Sequence, residues 1–171
     1  MLKVLGALCV VCGCSGMGWH AVSRHATRIR VLQELEQGLQ FLYGEITYSA
    51  CDMAELMERL SGRGGCFRDF WQGIQELLQQ HRGQPFFSYW KSQMPRIQGY
   101  QHLTAEDRIL IEKIGGNLGN LDRQTQLDTI RIFQKRLEGI LGQALKEFQG
   151  KARVSMALGV TTGLFLAIFL L

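Results

Sequence analysis

The sequence predicts an all-α protein: a cytoplasmic antiparallel helical bundle flanked by N- and C-terminal transmembrane helices. Three observations carry this expectation. Apolar residues recur at spacings of three and four through the interior of the 171-residue chain. No run of alternating β-branched residues is bounded by turn signals, so strands lack support. Both ends are apolar and uncharged: Val4 to Ser23 is 20 residues with 13 apolar, and Val154 to Leu171 is 18 residues with 13 apolar. At about 1.5 Å rise per helical residue these stretches reach roughly 27 to 30 Å, the thickness of a bilayer's hydrocarbon core. The expected division is 1–23 as the first membrane helix, 24–153 as the bundle and 154–171 as the second membrane helix.

Charge sets the orientation. Of the 34 charged residues, all but Lys3 lie between the two apolar stretches. The first stretch is followed by Arg24, Arg28 and Arg30 before any acid, and the second is preceded by Lys146, Lys151 and Arg153. Both asymmetries place the middle in the cytoplasm, with the chain in the cell membrane. The net charge of +4 is small, and both signs interleave along the middle, which describes a solvated surface and not a nucleic-acid footprint. A freely soluble protein, a disordered chain and a large multidomain enzyme are disfavoured.

The elements follow in order. Ile29, Leu32, Leu35, Leu39, Leu42 and Ile46 form one stripe about five turns long, running on from the first apolar stretch. Met53, Leu56, Met57 and Leu60 form the second, with Asp52 as cap and Ser61 to Gly65 as stop. Phe67, Phe70, Trp71, Ile74, Leu77 and Leu78 make the third. His81 to Pro85 breaks it, and Phe86 to Met94 is a short aromatic helix closed by Pro95. Thr104 with Glu106 and Asp107 reads as a helix cap, behind which Ile109, Leu110, Ile114 and Leu118 give the fifth helix. Leu127, Ile130, Phe133, Leu137, Leu141, Leu145 and Phe148 make the last. Gly38, Gly44, Gly73, Gly139 and Gly142 each lower helicity by roughly 1 kcal/mol relative to Ala, which close helix packing would explain.

The five cysteines are an odd number. Cys9, Cys12 and Cys14 lie in the first apolar stretch, where a thiol behaves as a small hydrophobe. A lipoprotein signal competes, because Gly13-Cys14 follows a short apolar run. Against it, the third residue before Cys14 is Val11, the second is Cys12, and Lys3 is the sole basic residue at the start. That alternative would make the chain a lipid-anchored or membrane-tethered extracytoplasmic helical protein. Cys51 and Cys66 read as reduced cytoplasmic thiols.

Catalytic constellations are missing. The bundle has no HExxH, no GxSxG, no paired CxxC and no Walker lysine, and Gly62 to Gly65 lacks the Gly-Lys-Ser/Thr that holds phosphates. His81 and His102 read as surface residues at helix boundaries, and Trp71, Phe86, Phe87 and Trp90 as core. The expectation is a protein that is not an enzyme, with no cofactor, no metal, no small-molecule substrate and no nucleic-acid partner. Asp122, Arg123 and Gln126 fall within about one turn just after a Gly-interrupted helix end. Stop, cap and restart explain Gly119 and Asp122 but leave Arg123 and Gln126 idle. The three are therefore the candidate partner-binding residues, Arg offering five donors on a stiff planar head. Gly159 to Gly163 is a GxxxG, the candidate for membrane helix packing.

Several segments together carry a resemblance. They are Met1 to Gly6; Arg30 through Leu39 and Leu42 to Glu45, Ile46 and Tyr48; Glu106-Asp107 leading to Gly115; Leu118-Gly119 followed by Asp122, Arg123 and Gln126; and Leu158-Gly159 to Gly163-Leu164. In order and spacing the chain resembles the stage III sporulation protein AB family of endospore-forming Firmicutes. It departs at Cys51-Asp52-Met53, where the family pattern offers a Pro-Leu pair. The resemblance implies a place in the complex, encoded by one sporulation operon, that joins mother cell and forespore across their two membranes. It also implies similarity to the platform proteins of type II secretion and type IV pilus machines. By that analogy the protein is a non-enzymatic anchor and adaptor in the mother-cell membrane around the forespore. Its cytoplasmic bundle would dock a secretion-type ATPase encoded in the same operon, beside other membrane subunits of the complex.

Overall fold

The structure, a computed structural model, describes residues 2–49, 52–80, 83–119 and 122–170, with side chains for 23–49, 52–80, 83–119, 122–150 and Thr161. Among these residues every regular element is helical. The α-helices are α1 (Leu2–Tyr48), α2 (Met53–Gly62), α3 (Arg68–Gln80), α4 (Phe86–Gln93), α5 (Ala105–Leu118) and α6 (Arg123–Leu170), with 3₁₀ turns at Met94–Arg96 and Tyr100–His102. The all-α expectation holds. Two units divide the chain: a terminal unit, Met1–Thr27 with Gly142–Leu171, and a bundle unit, Arg28–Leu141.

Apart from Ser23 and Thr161, the stretches expected to cross a membrane lie outside the residues whose side chains are described, and so do Cys9, Cys12, Cys14, Gly159 and Gly163. Among the described residues no helix is long and apolar enough to cross a membrane.

In the bundle unit most residues of the expected stripes enter the core, while Ile46, Met53, Leu77 and Leu78 stay half-buried. Leu32, Leu35, Leu39 and Leu42 bury one face of α1, and Leu56, Met57 and Leu60 bury one face of α2. Asp52 starts α2 by accepting the Glu55 amide hydrogen at 2.8 Å, as its position in the sequence suggests. Gly64 and Gly65, at φ of 74° and 80°, turn the chain into α3 in the left-handed region that glycine enters without strain. From there α2 packs on α3, α3 on α4, and α4 on α5.

The aromatic residues meet at the middle of this succession. Phe70 stands edge-on to Trp71 and to Trp90, with centroids 4.7 and 4.9 Å apart, and the two indoles are 5.5 Å apart. Trp90 is fully buried, and its Nε1 donates to the Ile111 carbonyl at 2.9 Å, so the indole brings no unpaired donor into the core. Its ring lies against α5 at Gly115, where a Cβ would collide with Trp90 Cγ.

Three expectations need correction. Ile109, placed in the core stripe, is 50% exposed, whereas Ile111 is fully buried. The true inward face of α5 is Asp107, Leu110, Ile111, Ile114, Gly115 and Leu118, and it begins with an acid that a search for apolar residues passes over. Leu145, placed in the last stripe, is also exposed. Close packing accounts for Gly73, where a Cβ would meet the Gln93 side chain, and Gly38 makes an ordinary contact with Trp71. Gly44, Gly139 and Gly142 face open space, so packing does not explain them.

Gly115 and Gly139 should therefore respond oppositely to alanine. Gly115→Ala is expected to destabilise the protein by about 1–3 kcal/mol through overpacking against a ring that cannot swing aside. Gly139→Ala should be neutral or stabilise by up to about 1 kcal/mol. Urea unfolding of the full chain in detergent reads both, and equal midpoints would contradict the close approach at Trp90.

Candidate functional site

Helix α6 begins near the ends of two other helices, and every helix end leaves backbone groups without intrahelical partners. Asp122 caps α6. Its Oδ1 accepts from the Thr125 amide at 3.1 Å, and its Oδ2 from the Thr125 hydroxyl at 2.6 Å. The Thr125 hydroxyl, followed by the Thr125 amide, holds the carboxyl below its usual range. Arg123 Nε donates to the Ile46 carbonyl at 2.7 Å and Nη2 to that of Thr47, closing the C-terminus of α1. Gln126 Nε2 donates to the Leu118 carbonyl at 2.8 Å, closing α5.

The structure thus brings the three candidate residues together and gives each a bond. The expectation that a purely structural role leaves Arg123 and Gln126 idle is corrected: each satisfies the last carbonyls of another helix. Asp122 and Arg123 nonetheless stay exposed, and Gln126 is half-buried. Next to the carbonyls that Arg123 holds, Tyr48 is 89% exposed. One further clamp ties α6 to α1. Arg131 Nη2 donates to the Tyr43 hydroxyl, with its guanidinium 5.0 Å from the centre of that ring.

A second polar cluster lies at the start of α5. Thr104 and Asp107 form a reciprocal capping box: Thr104 Oγ1 accepts the Asp107 amide hydrogen at 3.2 Å, and Asp107 Oδ2 accepts that of Thr104 at 2.9 Å. Arg28 grips the same carboxylate with both arms, Nε to Oδ2 at 2.7 Å and Nη2 to Oδ1 at 3.0 Å. Burial alone would raise the Asp107 carboxyl. The bonds from Arg28 and Thr104 outweigh it and hold the group below its ordinary value of about 3.8.

The remaining candidates for chemistry are quieter. Cys66 is a buried free thiol that donates to Glu34 Oε1 at 3.3 Å, and burial followed by this bond pushes its pKa up, away from the reactive thiolate. His102, expected on the surface, is half-buried, with Nδ1 lacking a partner. His81 and Cys51 lie outside the described residues. Among the described residues no three His, Cys, Asp or Glu could together hold a metal ion.

The sequence profile of Stage III sporulation protein AB matches residues 3–171. The chain belongs to the stage III sporulation protein AB family. A solved structure of a stage III sporulation protein AB superposes with a TM-score of 0.62 at 18% identity, over 72% of this chain and 97% of that one. At such identity the likeness is one of fold. No curated protein matches the chain.

In this member of the stage III sporulation protein AB family, sequence reasoning placed the cap at Thr104 and Asp107 but missed the partner of the carboxylate. A signal was present. Asp107 stands three and four residues before Leu110 and Ile111, inside the buried stripe, and an acid there needs a cation. Arg28→Ala should strand that carboxylate and cost about 3 kcal/mol. The lowered folded pKa makes the Asp107 contribution complete above the ordinary carboxylate value and lost as pH falls through the folded one. The stability deficit of Asp107→Asn should therefore be large near about pH 7 and shrink toward about pH 3. Thermal unfolding across that range tests it, and a deficit independent of pH would dismiss the ion pair as its cause.

Proposed function

We propose that this protein is a non-enzymatic membrane anchor and adaptor of the secretion-like channel complex between mother cell and forespore. Membership of the stage III sporulation protein AB family over residues 3–171, a range that takes in both apolar ends, carries the reading. On this reading Val4 to Ser23 and Val154 to Leu171 cross the mother-cell membrane, with Gly159 and Gly163 allowing a close helix approach. The bundle unit then lies in the cytoplasm, in keeping with the cations that border both stretches. Continuity of α1 and α6 supports it, since each helix holds one apolar end and one stripe of the bundle core.

The partner is the cytoplasmic secretion-type ATPase encoded in the same operon, and the docking corner is the start of α6. Arg123 and Gln126 with Asp122 order three helix ends there, so the surface is presented in one fixed geometry. Arg123 and Tyr48 are exposed at this corner and are of the residue types that dominate interface energetics.

Topology is tested with Gln80→Cys and Gln98→Cys in the full chain. Both positions are exposed in the structure. Neither added thiol should react with a membrane-impermeant reagent in intact cells, and labelling of both from outside would place the bundle on the wrong side.

Docking is tested by capture of the purified ATPase on the full chain. Tyr48→Ala with Arg123→Ala should weaken binding by about 1 kcal/mol or more, roughly fivefold. Loss of the Arg123 bonds alone also lowers stability by about 1 kcal/mol, so Tyr48→Ala, which removes a side chain that stands in solvent, separates binding from folding. Capture of the double variant at wild-type strength would remove the corner from the interface.

A further inference from the structure

Charge is not shared evenly between the two units. The terminal unit holds five of the 19 Lys and Arg (Lys3, Arg24, Lys146, Lys151 and Arg153) and one of the 15 Asp and Glu, Glu147. The bundle unit holds the other 14 of each and is neutral, so the whole net charge of +4 belongs to the terminal unit. No acid occurs before Glu34 or after Glu147.

The cations of this region divide by what they touch. Arg28 is engaged by Asp107 and Arg30 by Glu34, so both are neutralised within the bundle unit. Arg24 and Lys146 are exposed and form no ion pair among the described residues. Lys151 and Arg153 follow along α6, and Arg153, seven residues beyond Lys146, returns to the same helix face after about two turns. Arg24 directly follows Ser23, and Arg153 directly precedes Val154, so these cations border the two apolar stretches.

We infer that Arg24, Lys146, Lys151 and Arg153 bind the phosphodiester headgroups of anionic phospholipid and enrich that lipid around the protein. The inference rests on the membrane-anchor reading. Cations that border an apolar helix meet the leaflet surface, where each adds attraction to anionic lipid that salt screens. A nucleic acid would require a basic stripe along the bundle, and the bundle unit is neutral.

The test uses the full chain reconstituted in phosphatidylcholine vesicles with traces of spin-labelled phosphatidylglycerol or spin-labelled phosphatidylcholine. Paramagnetic resonance separates lipid held at the protein from bulk lipid. Phosphatidylglycerol should be preferred by about twofold or more at low salt, falling toward parity in about 1 M NaCl. The fourfold change Arg24→Gln, Lys146→Gln, Lys151→Gln and Arg153→Gln should abolish the preference. The charge-keeping set Arg24→Lys, Lys146→Arg, Lys151→Arg and Arg153→Lys should retain it. If the fourfold variant does not insert, Arg24→Gln with Lys146→Gln is expected to lose part of the preference, and full retention there overturns the inference. Parity in the wild type, or a preference that survives the fourfold change, also overturns it while leaving the anchor reading intact. Absence of any held phosphatidylcholine overturns both readings. Retention of a DNA duplex by the wild type, lost in the glutamine variant, would assign the cations to nucleic acid and overturn the lipid inference.

Discussion

A carboxylate buried at the start of an apolar helix face constrains the whole bundle unit. Asp107 has no exposure, and removing such a group from water costs several kcal/mol unless cations and amides replace the lost solvent. Arg28 and Thr104 supply the replacement, and the two-armed grip of Arg28 has one geometry. Apolar stripes alone tolerate a slide of α5 along α1. The fork does not. With the first turn of α5 held in place, Leu110, Ile111, Ile114 and Leu118 face inward, and Gly115 comes to the position where the Trp90 ring needs room.

The stripes of α1, α2 and α3, and that of α6 as far as Leu141, were legible in the main because the buried faces there are built largely of apolar residues at helical spacing. Caps were legible too, since Asp52 and Thr104 act on amides only three residues away. Contacts between residues far apart in the chain were not. The pairing of Arg28 with Asp107 and the fit of Gly115 to Trp90 join separate helices, and no local rule ties one to the other. Polar residues misled in both directions. An acid in the core stripe hid the true face of α5, and Arg123 and Gln126 looked spare because the carbonyls that they satisfy belong to α1 and α5.

At the start of α6 the backbone chemistry of helix ends holds three helices to one corner. Three side chains within five residues close three helix termini, so hydrogen bonds to backbone groups help to set the geometry of that corner. Surfaces of that kind stay accessible while remaining ordered. That combination is what the proposed docking corner would need, a fixed face that is not buried against the rest of the chain.

Order of synthesis gives the Arg28 and Arg123 contacts a further meaning. Arg28 and Asp107 are 79 residues apart, Ile46 and Arg123 are 77 apart, and Tyr43 and Arg131 are 88 apart. A ribosome adding about 5–20 residues per second needs on the order of ten seconds to cover such a distance. Through that interval α1 has its nearer partners, among them Arg59, Cys66 and Trp71, but not its polar ties to α5 and α6. The bundle closes only once the first part of α6 has left the ribosome.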